Sequence, residues 1–209
     1  MKSSITLLPA AARARITVVS VPVATLLAFA GCTAHGWTAE ESGIINSPSD
    51  TLHVYTVEDP SENEVLRRES CLDFSDEMLS TEEYARLAVK MLATVTAPSQ
   101  DGVGIAGPQV GISRNIVCVQ RFDKPGEPFE TYPNIRITNF YGEQEPGPEG
   151  CLSVPGKRGE VARYRDIEIS YRNPVTMRDT TERIEGFTAV IFQHECDHLH
   201  GVLYSDKLI

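Results

Sequence analysis

The sequence lacks any C-x-x-C pair, any basic excess and any apolar run long enough to cross a membrane, and each lack removes a class of protein. Its five cysteines, Cys32, Cys71, Cys118, Cys151 and Cys196, are odd in number and irregularly spaced, which argues against a disulfide framework. Cys118 lies inside the apolar run Ile116 to Val119 and reads as a small core residue. The formal charge is −10, and since Lys2, Arg13 and Arg15 give the first 31 residues +3, the remainder carries −13. So acidic a body is a poor partner for nucleic acid or anionic lipid surfaces, and no nucleic-acid partner is expected. The uncharged run Ile16 to Ala30 has fifteen residues, enough for a signal-peptide core and short of the ~20 of a membrane helix.

What is there begins with that leader. Gly31-Cys32 directly follows the apolar run and resembles a bacterial lipoprotein processing site, with Cys32 as the lipidated first residue, although Phe29 departs from the pattern. Ala28-Phe29-Ala30 also satisfies the A-x-A rule for secretory cleavage. The expected organisation is a leader over 1–31, a polar tether over 32–50 and one globular domain over 51–209. The expected location is the cell envelope, lipid-anchored at Cys32 or exported, with the cytoplasm as the alternative if the leader is a mis-called start.

The chemistry concentrates in Gly186 to Gly201, GFTAVIFQHECDHLHG, which contains His194-Glu195-Cys196-Asp197-His198. On a helix, residues four apart share a face, so His194 and His198 both point at one metal ion. Glu195 then reaches a water at that ion as general base. Phe187, Val190 and Ile191 lie one or two turns upstream, near the same face, and predict that this face is buried. Gly201 sits where a left-handed cap belongs. Cys196 is rotated away from the histidine face and reads as packing.

Upstream, Leu52 to Val57 reads as a short strand and Asp59 to Ser75 as a polar surface segment. A capping box, Ser80 to Glu83, starts a helix whose buried face is Tyr84, Leu87, Ala88, Met91, Leu92 and Val95, and which ends before Pro98. Gly102 to Gly111 holds four glycines in ten residues, which lets a backbone approach something closely, but it lacks the Lys-Ser/Thr of a phosphate loop. Strands are expected at Asn115 to Gln120, Asn134 to Asn139, Glu160 to Tyr164, Asp166 to Tyr171 and Thr180 to Glu185. The class is α+β, with mostly antiparallel sheets folded around the central H-E-x-x-H metal helix. A catalytic metal usually has three protein ligands. Glu149-Gly150-Cys151-Leu152-Ser153, in a Gly/Pro-rich turn, offers a thiolate or else a buried free cysteine.

Three segments, GVGIAGPQ, EGCLS and QHECDHL, occur in this order and together resemble peptide deformylase over Thr56 to Leu208. The resemblance implies removal of the N-formyl group from the N-terminal formyl-methionine of nascent polypeptides, with release of formate. It implies Cys151, His194 and His198 as metal ligands, Glu195 as acid/base, and Gln109 with the backbone N–H of Leu152 as oxyanion donors. It implies that Val103 and Gly104 bind the peptide backbone, that Phe187 and Val190 line a methionine slot with Val103, and that Glu149 pairs with Arg158. One divalent ion per chain is implied, usually Fe2+, with Zn2+, Ni2+ or Co2+ possible, in a monomer. Gly107 departs from the alanine common in the family, a change that frees the backbone slightly. Two rival readings stand beside this one. A zincin-like metallopeptidase needs a further ligand, for which only His200 follows downstream. The other rival is a non-catalytic envelope protein that binds metal or peptide.

Overall fold

The computed structural model describes residues 36–209, so the leader and Cys32 lie outside the described residues. Thr38 accepts from the Glu41 N–H and Glu41 answers at the Thr38 N–H, a reciprocal box that starts helix α1 (Ala39–Ile45). Ile45 is fully buried in the core. From Gly36 on, the stretch expected as a tether is therefore folded onto the domain. Leu52 to Val57 pairs in neither sheet, although Leu52 and Val54 are buried. Asp59 caps α2 (Pro60–Leu66) inside the segment expected to be surface, and Leu66 carries it into the interior.

Next come α3 (Asp76–Leu79) and α4 (Glu82–Val95). The expected box from Ser80 does not form, because Ser80 closes α3 and Thr81 becomes the cap of α4, accepting from Tyr84. The buried face of α4 also shifts. Leu92 is exposed, while Thr94 and Lys90 are buried because Thr94 takes the Leu52 N–H and Lys90 reaches the Ser47 carbonyl.

β1 (Gly104–Ala106), a 3-10 turn (Gly107–Val110), β2 (Ile116–Gln120) and β3 (Phe129–Pro133) follow. They form an antiparallel sheet in the order β1-β2-β3. Its two faces are both covered: Ile116 and Cys118 join the cluster with α4, and Val117 and Val119 join the cluster on the opposite side. That double burial explains the continuous apolar run. The second sheet, β4-β5-β6, is also antiparallel, from β4 (Arg136–Cys151), β5 (Val154–Asn173) and β6 (Arg178–Glu185). The two short strands expected at 160–164 and 166–171 are one long strand, and register shifts along β4 bend the pair.

Between the sheets runs α5 (Gly186–His198). It is buried on nearly every side: Ala189, Ile191 and Phe192 pack with Val117 and Val119 of the first sheet and Ile167, Ile169 and Ile184 of the second. The single apolar stripe expected for this helix is thus an all-round core helix. Gly201 takes φ +70 just beyond its end.

Candidate active site

The central helix delivers two imidazoles one turn apart, His194 and His198, with ring centroids at 5.1 Å. Cys151, the last residue of β4, brings the third group, and its Sγ lies 3.2 Å from His198 Nε2. Among the described residues, ligand atoms of Cys151, His194 and His198 all fall within 4.8 Å of one another. His194 Nδ1 is 2.8 Å from Glu149 Oε2. A carboxylate only accepts, so Nδ1 carries the proton and Nε2 is left for an ion. Burial would lower His194, but the hydrogen bonds its ring donates to Cys151 and Glu149 hold it up at about 10. Burial, with His194 beside it, pushes His198 well below its ordinary value, so that ring is neutral. One thiol and two imidazoles form a donor set that fits a divalent transition metal.

Glu195 lies at the floor, fully buried, and its Oε2 has no protein hydrogen-bond partner. Burial is the main cause that raises its carboxyl to about 7. Gly104 makes its room: an added Cβ there would strike Glu195 Oε1 and come within 2.8 Å of Ile191 Cγ2. The glycine-rich stretch thus serves a close approach, to a carboxylate.

Gln109 is buried, and its amide is oriented by the Ala106 N–H, which donates to Oε1 at 2.8 Å. Its Nε2 therefore faces the site, 3.2 Å from Ser153 Oγ and 3.5 Å from Cys151 Sγ. Leu152 occupies the two-residue turn between β4 and β5, next to Cys151. At Gly107, the expected gain in freedom is a packing requirement instead. A Cβ would meet the carbonyl oxygens of Ile112 and Arg114 at 2.6 Å.

The expected pairing of Glu149 with Arg158 is wrong. Arg163 donates to Glu149 from Nε at 2.7 Å and from Nη2 at 3.1 Å, and from Nη1 to Asp197 at 2.5 Å. The reason is pleating: Arg158 lies opposite Gly150 in the ladder and is exposed, whereas Arg163 points inward and is buried. Against burial, His194 and Arg163 hold Glu149 at about 2, a fixed negative partner for the histidine. Sequence reasoning missed Arg163, Ser153 and Tyr204, whose ring stacks on His194 at 6.2 Å. Only Arg163 left a signal, the inward parity of its strand.

These groups open into a cleft of about 800 Å3 lined by Val103, Gly104, Leu152, Phe187, Val190 and Ile191 on its apolar parts. Val190 is buried, while Phe187 is half exposed and leans on Phe122. β1 is an edge strand, paired on one side with β2. His200 turns away to the Cys196 carbonyl and is outside the ligand group, as a zincin reading would not have it.

A family model described as polypeptide deformylase matches residues 52–209. The peptide deformylase of Leptospira biflexa serovar Patoc (strain Patoc 1 / Ames) is 38% identical over 153 residues, covering 70% of this chain and 83% of that protein. Peptide deformylase 2 of Bordetella bronchiseptica is 41% identical over 138 residues, covering 63% of this chain and 77% of that protein. The crystal structure of a class I type b peptide deformylase from Acinetobacter baumannii bound to Met-Ala-Ser superposes with a TM-score of 0.66 at 32% identity, covering 76% of this chain and 98% of that one.

Proposed function

The chain belongs to the polypeptide deformylase family, and from that premise we propose how its own residues carry out the reaction. It is a metal-dependent hydrolase that removes the N-formyl group from the formyl-methionine of polypeptides. The observation that carries the residue assignment is the convergence of Cys151, His194 and His198, of which Cys151 and His194 line a peptide-sized cleft and His198 lies buried behind it. These three hold the ion, ferrous iron in our reading, although the donors also suit zinc, nickel or cobalt. Held by one thiolate and two neutral imidazoles, a divalent ion would keep a net charge of about +1 and would supply Lewis acidity to the carbonyl and to water.

Glu195 takes the proton from the attacking water and returns it to the leaving amine, giving formate and a free N-terminus. Its raised carboxyl suits both halves of that shuttle. A cation held beside it would oppose that rise. Gln109 Nε2 and the Leu152 N–H receive the oxygen that becomes negative. The peptide lies along the open edge of β1 at Val103 and Gly104, as an added strand. Val103, Phe187, Val190 and Ile191 surround the methionine side chain. All of these groups come from one chain, consistent with a monomer.

The location stays on sequence grounds: we place the enzyme at the cell envelope, lipidated at Cys32. Fractionation of the host should find it in membranes, with Cys32→Ala releasing it; full-length or internally started protein in the cytosol overturns that placement. The catalytic reading is tested by formate release from a formyl-Met tripeptide by metal-loaded protein. No formate above a metal-only control would reject it.

A further inference from the structure

The two oxyanion donors assigned above stand on different pieces of the fold. Gln109 follows β1 in the first sheet, Leu152 tips the hairpin of the second, and no strand of one sheet pairs with a strand of the other. Donors aimed at one oxygen must be held to within about 0.5 Å. Gln109 Nε2 and Ser153 Oγ meet at 3.2 Å, but that is a link between two rotatable side chains.

A stiffer link runs through the main chain. Tyr55 N–H donates to the Gln109 carbonyl at 2.8 Å, and Val57 N–H donates to the Ser153 carbonyl at 2.9 Å. In extended chain, N–H groups two residues apart share one edge, so a single edge of this segment meets both donor loops. The Thr56 N–H points the other way, to Glu62 Oε2 at 2.7 Å. Both ends are tied down: the Leu52 N–H reaches Thr94 of α4, and Asp59 caps α2. Val57 also packs with Cys151 against Val154, Val161, Leu203 and Tyr204. The Tyr55 ring closes on Gly111, whose φ of +78 turns the chain just after Gln109.

We propose that Tyr55–Val57 is a main-chain splint that sets the spacing between Gln109 and Leu152, making Tyr55 and Val57 positioning residues for deformylation. The proposal rests on the deformylase reading of the site. It also gives the non-strand at 52–57 a purpose, since the Tyr55 and Val57 N–H groups go to the two donor loops and to neither sheet.

Proline at 55 or 57 deletes one N–H, whereas alanine at the same place removes the side chain and keeps the N–H. Proline at 56 deletes only the N–H that goes to Glu62. kcat and KM for a formyl-Met tripeptide are compared across Tyr55→Pro, Tyr55→Ala, Val57→Pro, Val57→Ala and Thr56→Pro. The splint predicts a kcat loss of about 10- to 100-fold for Tyr55→Pro and Val57→Pro against their alanine partners, the order expected for a small misplacement. KM should stay within about twofold and Thr56→Pro near wild type. Equal losses for all three prolines, or a change confined to KM or Tm, overturn the proposal. Should the proline variants not fold, hydrogen exchange of the unaltered protein decides: Tyr55 and Val57 amides must be protected, and exchange at the rate of an open loop overturns it. Wild-type protein that releases no formate would reject the deformylase reading, and the exchange measurement would still judge the splint.

Discussion

The two halves of the proposed catalytic site are built by opposite means. The metal half takes His194, His198 and Glu195 from a single helix held between two sheets, so one local spacing sets three side chains at once. The oxyanion half takes Gln109 from the turn after β1 and Leu152 from the tip of a hairpin in the other sheet. The first half is as rigid as the helix itself. The second depends on distant segments meeting, and in our proposal it is buttressed by the Tyr55 and Val57 main chain. In that proposal local geometry sets both histidine ligands, and tertiary geometry sets the donors for the oxygen.

The comparison breaks first at Cys151, the one ligand outside the helix. Cys151→Ala should abolish stoichiometric metal binding and activity together, because two imidazoles alone hold a divalent ion far more weakly; metal analysis after dialysis checks this. Glu195→Gln should keep the metal and lose about 10²–10⁴ in kcat, the usual contribution of a general acid/base, read from formate release. On the other half, Gln109→Ala should lose about 10²–10³, with its metal content unchanged. If it loses metal as well, the halves are not separable.

Substrate choice probes the cleft that spans both halves. Formyl-Met peptides should exceed formyl-Gly or formyl-Asp peptides by more than about tenfold in kcat/KM, since burying a Met-sized side chain contributes about 1.5–3 kcal/mol. Equal rates would contradict the apolar slot. The smallest effect on turnover is expected at Glu41→Gln, which leaves Arg114 buried without its counter-charge and should cost on the order of 1–3 kcal/mol of stability. Against the burial that raises it, hydrogen bonds from Arg114 and Thr38 hold the Glu41 carboxyl below 4.5. Its contribution is therefore present above pH 4.5 and lost as pH falls below it. The Tm gap between wild type and Glu41→Gln should narrow in acid; a gap independent of pH would rule out the ion pair as its cause.

The same contrast explains what was legible in the sequence. His194 and His198 were readable because a four-residue spacing is geometry on any helix. Cys151 and Gln109 carry no such local code, and only the joint order of three motifs pointed to them. The pairing of Glu149 went to Arg163 and not to Arg158, because strand parity decides which arginine faces inward and the strand boundary was not readable. The tether became α1 for a local and a tertiary reason: Thr38 and Glu41 close a capping box, and Glu41 also finds Arg114, more than seventy residues away in the chain. Leu52 to Val57 has strand composition, yet its hydrogen bonds go to loops, and no periodicity encodes that choice.

The account rests on the ion and the base being separate contributions of one helix and one strand end. Its most direct test measures metal content and formate release together, under anaerobic conditions, on wild type, Cys151→Ala and Glu195→Gln. The account predicts about one metal per chain in wild type and in Glu195→Gln, none in Cys151→Ala, and rapid formate release from wild type alone. Full metal occupancy in Cys151→Ala, or near wild-type turnover in Glu195→Gln, would contradict it.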